Sequence, residues 1–473
     1  IAALASVALV TACGMTSATA TDAATGSTSI STAVRQASVG ASASDVLSAN
    51  ADTSEATAVA SDADKTGAYD ASAATTITAS GGSAEVSGSD AGNVTVDGGT
   101  VTITGSGTYV VSGTLDGQVV VNADKADVRL VLAGASITSA DGPAIDIQDA
   151  GSAVLVLAEG TTNTLADGST YADTGEDAAT AALYSSDTLT ITGTGSLDVT
   201  GSYDDGISSK NGLVITGNPT ITVNAADDGV RGKDYLLVSS GRLTVTAGGD
   251  GLKSSEDDDE TKGFVALGAA AVTLTSGDDG VSATTDVTVD GTTLSIAAGG
   301  GQANATVSEE QGPGQGAPGQ GAPGQDQAAG GQSDESQSES TTASPKGINA
   351  GVTYAQDTGS VTIDAADEGL QAAFVNVNGG SLDIASGDDG INASNGDYTI
   401  EGYESADSES DDGSVLTISG GQVQLDYAGS DGIDSNGSAF VTGGQVLIGG
   451  QAGAMDGAVD ANGESTLVGV TGS

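Results

Sequence analysis

The sequence predicts an all-β fold of stacked repeats, a single-stranded parallel β-helix of about 22 residues per coil. Three observations predict it. A phrase of acid, acid, glycine, aliphatic, polar, small recurs between Asp204 and Asp460. Its inward and outward positions alternate with period two, which belongs to strands. And two or three strand-like segments fill each period with no helical stretch between them.

The copies read D-D-G-I-S-S from Asp204, D-D-G-V-R-G from Asp227, G-D-G-L-K-S from Gly249 and D-D-G-V-S-A from Asp278. They resume as K-G-I-N-A from Lys346, D-E-G-L-Q-A from Asp367, D-D-G-I-N-A from Asp388, S-D-G-I-D-S from Ser430 and M-D-G-A-V-D from Met455. Their glycines step by 23, 22, 29, 67, 22, 21, 42 and 25 residues, so the long steps are near multiples of the period or hold an insertion. The residue after glycine is apolar (Ile207, Val230, Leu252, Val281, Ile348, Leu370, Ile391, Ile433, Ala458), and the one two further on is small, Asp460 excepted. Further alternating segments are expected at Leu213 to Thr216, Thr220 to Val223, Leu236 to Val238, Leu243 to Thr246, Val375 to Val377 and Val415 to Ile418. Each coil then sits roughly 4.8 Å above the last. Leucine-rich repeats share the period but need leucines where glycine and β-branched residues stand here. Asp-Gly hairpin turns would explain single copies but not the grammar after every glycine.

Composition fits a thin-cored solenoid: 473 residues with 73 glycines, no Trp and no His. The formal charge of −53 argues against nucleic acid and against electrostatic adhesion to anionic membranes. Without His and with one Cys, His-based triads and Cys/His zinc sites are excluded.

Residues 1–13 read as a lipoprotein signal segment. Ile1 to Val10 is apolar but too short to span a bilayer. It leads into V-T-A-C-G, which resembles a bacterial lipobox with Cys13 as the lipidated residue; the alternative is a stray cysteine in a secretory signal. No Met or basic segment precedes Ile1, so the chain reads as starting inside that signal. The expected location is the bacterial cell envelope, facing outside, with the membrane touched only through the lipid, and a monomer. Residues 14–72, rich in Ala, Ser, Thr and Asp, read as a disordered tether. Residues 73–473 read as the β-helix, with a Gly/Pro/Gln-rich insertion at 309–345.

The acids before each glycine would form one column when the coils are in register. Two unit charges about 5 Å apart repel by roughly 0.8 kcal/mol even in water. Protonation, splaying into solvent or a cation must relieve this, and hard oxygen donors on turns favour Ca²⁺. The metal candidates are Asp204, Asp205, Asp227, Asp228, Asp250, Asp278 and Asp279, with Asp257, Asp258 and Asp259 of the loop E-D-D-D-E from Glu256. The alternatives are Asp side chains that cap turns and a merely solvated loop. Lys210, Arg231, Lys233 and Lys253 fall in three successive copies and would form a basic strip beside the column. Such a strip suits an acidic sugar, or simply neutralises the carboxylates.

The segments A-E-G-T-T-N-T-L from Ala158, Y-A-D-T-G-E-D from Tyr171, A-A-L-Y-S-S-D-T-L-T-I-T-G from Ala181, A-D-D-G-V-R-G-K-D from Ala226 and G-G-D-G-L-K-S from Gly248 resemble a family of carbohydrate-binding bacterial surface lipoproteins. The resemblance covers about residues 75–473. It implies a pectate-lyase-like, right-handed parallel β-helix that binds acidic pectic chains or cellulose-like polysaccharide, with bound calcium. Non-catalytic binding is the first reading. A polysaccharide lyase is the second: Ca²⁺ acidifies the proton beside a uronate carboxylate, Arg231 removes it, and Lys210 or Lys233 orients the substrate. The sparse basic and aromatic residues weigh against that chemistry. A structural adhesin is the third.

Overall fold

The computed structural model describes residues 28–50, 62–175, 178–305, 344–396, 398–406, 410–450 and 457–472. The fold is all-β, with a few short helices. From Ala181 onward, three parallel ladders run side by side. The first joins Ala181–Ser185, Asp205–Ser209, Val230–Gly232, Leu252–Ser254 and Val281–Ala283. It continues through the openings of Ile348–Gln356 and Leu370–Val377 to Ile391–Ala393 and Ile433–Ser435. The second runs from Leu189–Gly193 through Gly212–Ile215 to Val415–Ile418 and Ser438–Val441. The third runs from Ser196–Gly201 through Thr220–Ala225 to Gln422–Tyr427 and Gln445–Gly450. Two antiparallel hairpins, Thr75–Gly81 with Ala84–Ser87 and Val94–Asp97 with Thr100–Ile103, open the parallel array, since Thr75–Gly81 and Thr100–Ile103 also pair in parallel with Gly107–Asp116 and Gln118–Asn122.

The repeated phrase is the first ladder. Ile207, Val230, Leu252, Val281, Ile348, Leu370, Ile391 and Ile433 stack in one inward column and none is exposed at all. Each such side chain contributes about 1.5–3 kcal/mol of burial. Direct pairing of Val281 with Ile348 carries the stack across the Gly/Pro/Gln-rich segment, most of which lies outside the described residues. The preceding glycine is required by close approach. A Cβ on Gly229 would overlap Val245 Cγ1 and lie 2.7 Å from the carbonyl oxygen of Gly251 in the next coil.

Three expectations are corrected. The ninth copy lies one residue out of the expected register: Val459, not Ala458, pairs with Ile433. Gly457 thereby occupies the place of the acid, and its N–H bonds to Asp431. The second ladder does not alternate. Leu213–Ile215, Leu236–Val238 and Val375–Val377 are buried on both faces. What covers the outer face is the segment expected to be a tether. Residues 28–50 and 62–72 are ordered: Thr28–Ile30 pairs in parallel with Tyr398–Ile400, and α1 (Thr32–Ser38), α2 (Ala43–Ala49) and α3 (Asp62–Thr66) follow. Ser31 and Ser42 cap α1 and α2, the second through a capping box with Asp45. Ile30 packs with Val352, Phe374 and Val415, Val46 with Ala355, and Leu47 against Leu237 and Phe264. Side chains this apolar would otherwise face water, and that burial orders a segment whose own composition is weakly hydrophobic. Residues 1–27, with Cys13, and 51–61 lie outside the described residues.

Candidate metal and glycan site

The turn that enters each first-ladder strand places its acid where the chain bends from the third ladder into the first. Asp228, Asp250, Asp279, Asp389 and Asp431 are all buried there. Their neighbours are the coils above and below. Asp228 Oδ1 accepts the N–H of Asp250 at 3.0 Å, Asp250 Oδ1 that of Asp279 at 3.0 Å, and Asp279 Oδ1 that of Lys346 at 2.8 Å. Asp389 repeats the bond to Asp431 at 2.8 Å. The acids therefore do cap backbone N–H groups, but those of the next coil. A carboxylate holding such bonds is fixed in place and ties successive coils together.

Stacking and burial make ionisation costly. Burial, then Asp228 and Asp204, raise Asp205 to about 8. Burial raises Asp250 to about 7 against the pull of Lys253, and Asp279 to about 6. Burial and Asp388 raise Asp389 to about 9. Asp204 is raised by burial and by Asp227.

Side-chain cations relieve part of this. Lys253 Nζ lies 3.0 Å from Asp228 and 2.9 Å from Asp250. Burial opposes its charge, but those two carboxylates outweigh burial and hold its pKa above the usual lysine range. Lys346 stands in the acid's own place in the fifth copy and pairs with Asp367 at 3.1 Å and Glu368 at 2.9 Å. Lys233 pairs with Glu256 at 2.9 Å. Arg231 donates from Nε and Nη2 to Ser255 Oγ, at 3.2 and 2.9 Å. The expected repeat positions hold, since Arg231 pairs in register with Lys253, and the N–H groups of Lys210 and Lys233 reach the equivalent Ser185 and Ser209 carbonyls. Much of this strip therefore serves the carboxylates.

Among the described residues, carboxylate oxygens converge within 4.8 Å in four places: Asp204–Asp205–Asp227, Asp250–Asp278–Asp279, Glu256–Asp257–Asp258 and Asp431–Asp434–Asp460. They differ in what already satisfies them. In the second, Lys253 holds Asp250. In the third, Glu256 is divided between Lys233 and the N–H of Asp258, and Asp259 instead caps Thr261. In the first, Asp205 is only 2% exposed and its Oδ2 has no hydrogen-bond partner. A buried unpartnered carboxylate oxygen beside two more carboxylates fits a hard divalent cation with oxygen ligands. The fourth group is hidden in the sequence when the last copy is aligned on its glycine. Matching I-D at Ile433 with V-D at Val459 would have found it.

Beside the acids, the outward middle position of the first ladder forms a second line. It runs Asp146, Tyr184, Ser208, Arg231, Lys253, Ser282, Asn349, Gln371, Asn392, Asp434, one residue per coil. At about 4.8 Å per step this polar line is roughly 43 Å long. Near its first end Tyr171 stacks on Tyr203, centroids 4.1 Å apart, with the Tyr171 hydroxyl bonded to Asp167 at 2.8 Å.

A family model described as carbohydrate-binding domain-containing protein matches residues 97–390. A carbohydrate-binding domain-containing protein of Acetivibrio thermocellus is 39% identical over 123 residues, 25% of this chain and 43% of that protein, so the chain spans less than half of that relative's length. A solved structure described as a polysaccharide lyase-like protein from C. thermocellum, a gadolinium derivative, is 31% identical with a TM-score of 0.46, covering 48% of this chain and 92% of that one. With the family model spanning more than half of its length, the chain belongs to the carbohydrate-binding domain-containing protein family.

Proposed function

We propose that this chain is a non-catalytic polysaccharide-binding protein of the bacterial cell surface, lipidated at Cys13, whose right-handed parallel β-helix holds Ca²⁺ between stacked carboxylates and binds acidic pectic chains. The observation that carries the reading is Asp205: a buried carboxylate with an unpartnered oxygen, beside Asp204 and Asp227 and one coil from Arg231. Calcium there would neutralise the acids and leave ligand positions for a uronate carboxylate. Arg231 adds a guanidinium suited to a second carboxylate. Family membership supports a carbohydrate partner. The V-T-A-C-G sequence supports the lipid anchor and the envelope location.

Binding is favoured over lyase chemistry. A base must be free to take a proton, and Arg231 is bonded to Ser255 in a strongly acidic setting. The test is retention on immobilised polygalacturonate and on cellulose, with calcium and with chelator, together with the absorbance of unsaturated product from polygalacturonate. The proposal expects calcium-dependent retention and no product. Product formation that is lost in Arg231→Ala would replace binding by catalysis. No retention on pectin or cellulose would leave the adhesin reading.

A further inference from the structure

The polar line changes character along its length. Arg231 and Lys253 give way to Ser282, Asn349, Gln371 and Asn392. Where the amides begin, a cavity of about 250 Å³ opens, lined by Lys346, Asn349, Gly351, Gln371, Ser394 and Tyr398. That is room for several ordered waters, or for one sugar ring in their place.

Its chemistry is neutral. The one cation on its wall, Lys346, is matched by Asp367 and Glu368. Asn349 spends one N–H on Asp279 at 3.1 Å, and Gln371 one on Ser394 at 3.0 Å. Each amide keeps a second N–H and its oxygen, a donor and an acceptor that suit a sugar hydroxyl. The fourth wall is an aromatic ring held in place. Tyr398 donates to the Thr284 carbonyl at 2.9 Å, and its strand pairs with Thr28–Ile30. The ring lies against Gly351, where a Cβ would meet its Cε2 at 2.7 Å, so glycine is needed for the ring to approach. Tyr398 belongs to the extra chain in the step from Gly390 to Gly432, so the insertion that interrupts the repeat builds this wall.

We infer that the Asn349–Gln371–Tyr398 cavity is a second glycan subsite, which takes an uncharged sugar ring by its hydroxyls and its ring face, about four coils along the same line from Arg231. It rests on the proposed polysaccharide binding and assigns separate places on one strip to acidic and to neutral sugar residues. Preordered amides and a fixed ring bind without ordering cost, and uncharged hydrogen bonds discriminate by donor and acceptor rather than by charge.

The test is calorimetric titration of the calcium-loaded protein with cellohexaose, mannohexaose and xylohexaose as neutral probes and hexagalacturonate as the acidic one. The wild type is expected to bind at least one neutral probe. Asn349→Leu with Gln371→Leu is expected to weaken that binding about tenfold, the loss of two modest hydrogen bonds, and to leave hexagalacturonate unchanged. Gln371→Ser alone, at about threefold, gives the same comparison should the double variant fold poorly. Unchanged neutral binding in these variants overturns the inference. So does a wild type that binds hexagalacturonate and no neutral probe, which leaves the proposed function standing. A wild type that binds no sugar removes both.

Discussion

Raising the pH in the presence of chelator should destabilise this protein, and calcium should reverse the effect. Asp205 titrates near 3.8 when unfolded and at about 8 in the folded chain, because burial, Asp228 and Asp204 all disfavour its charge. The folded state therefore holds a proton that the unfolded state has released, and stability falls as pH rises through that window. At ~1.4 kcal/mol per pKa unit the ceiling for this one group is about 6 kcal/mol. Water reaching half-buried Asp204 screens part of it, leaving about 2–3 kcal/mol, or a midpoint lower by about 3 °C for a chain of this length. Asp389, at about 9, and Asp250, at about 7, act in the same direction. Calcium at a hundred times its dissociation constant adds about 2.7 kcal/mol, and only where the carboxylates have lost their protons. The assay is thermal unfolding of the full chain from pH 5 to pH 8 with chelator and with calcium, for wild type and Asp205→Asn. The variant should show a shallower fall with pH and little calcium rescue. A chelated wild type whose midpoint is flat or rises with pH would refute this reasoning, as would equal calcium stabilisation of both proteins.

Lys253→Met should cost about 3 kcal/mol at pH 8, since it strands buried Asp228 and Asp250. Much of that cost should vanish at pH 5, where Asp250 is protonated; urea unfolding at the two pH values measures both. Gly229→Val should cost ~3 kcal/mol in urea because its side chain meets Val245 and the next coil's backbone, and an unchanged midpoint would mean the coils are not so closely stacked. Deleting residues 28–50 should expose Leu237, Phe264, Ala355 and Phe374, so that the chain binds a hydrophobic dye and aggregates, whereas a true tether could be removed without either effect.

The first ladder is legible because its middle position is partly open while its flanking positions are buried, as in Val230-Arg231-Gly232 and Leu252-Lys253-Ser254. Asp205 and Asp227 could be placed together from register alone. The second ladder is not legible as such, because burial on both faces erases the alternation, as in Leu213–Ile215. The segment that buries it was missed for a related reason. α1 and α2 are seven residues each, too short to show an amphipathic period, and they fold only against the ladder. The one local signal was the Ser42–Asp45 capping box. The Asn349–Gln371 cavity was equally hidden, because its aromatic wall comes from an insertion that breaks the repeat.

The most direct measurement is a crystal structure of the protein grown with calcium and read by anomalous scattering. A peak bounded by Asp204, Asp205 and Asp227 is expected, with Lys253 still seated between Asp228 and Asp250. Calcium confined to the loop at Asp257 and Asp258, or absent from the carboxylate column altogether, would contradict it.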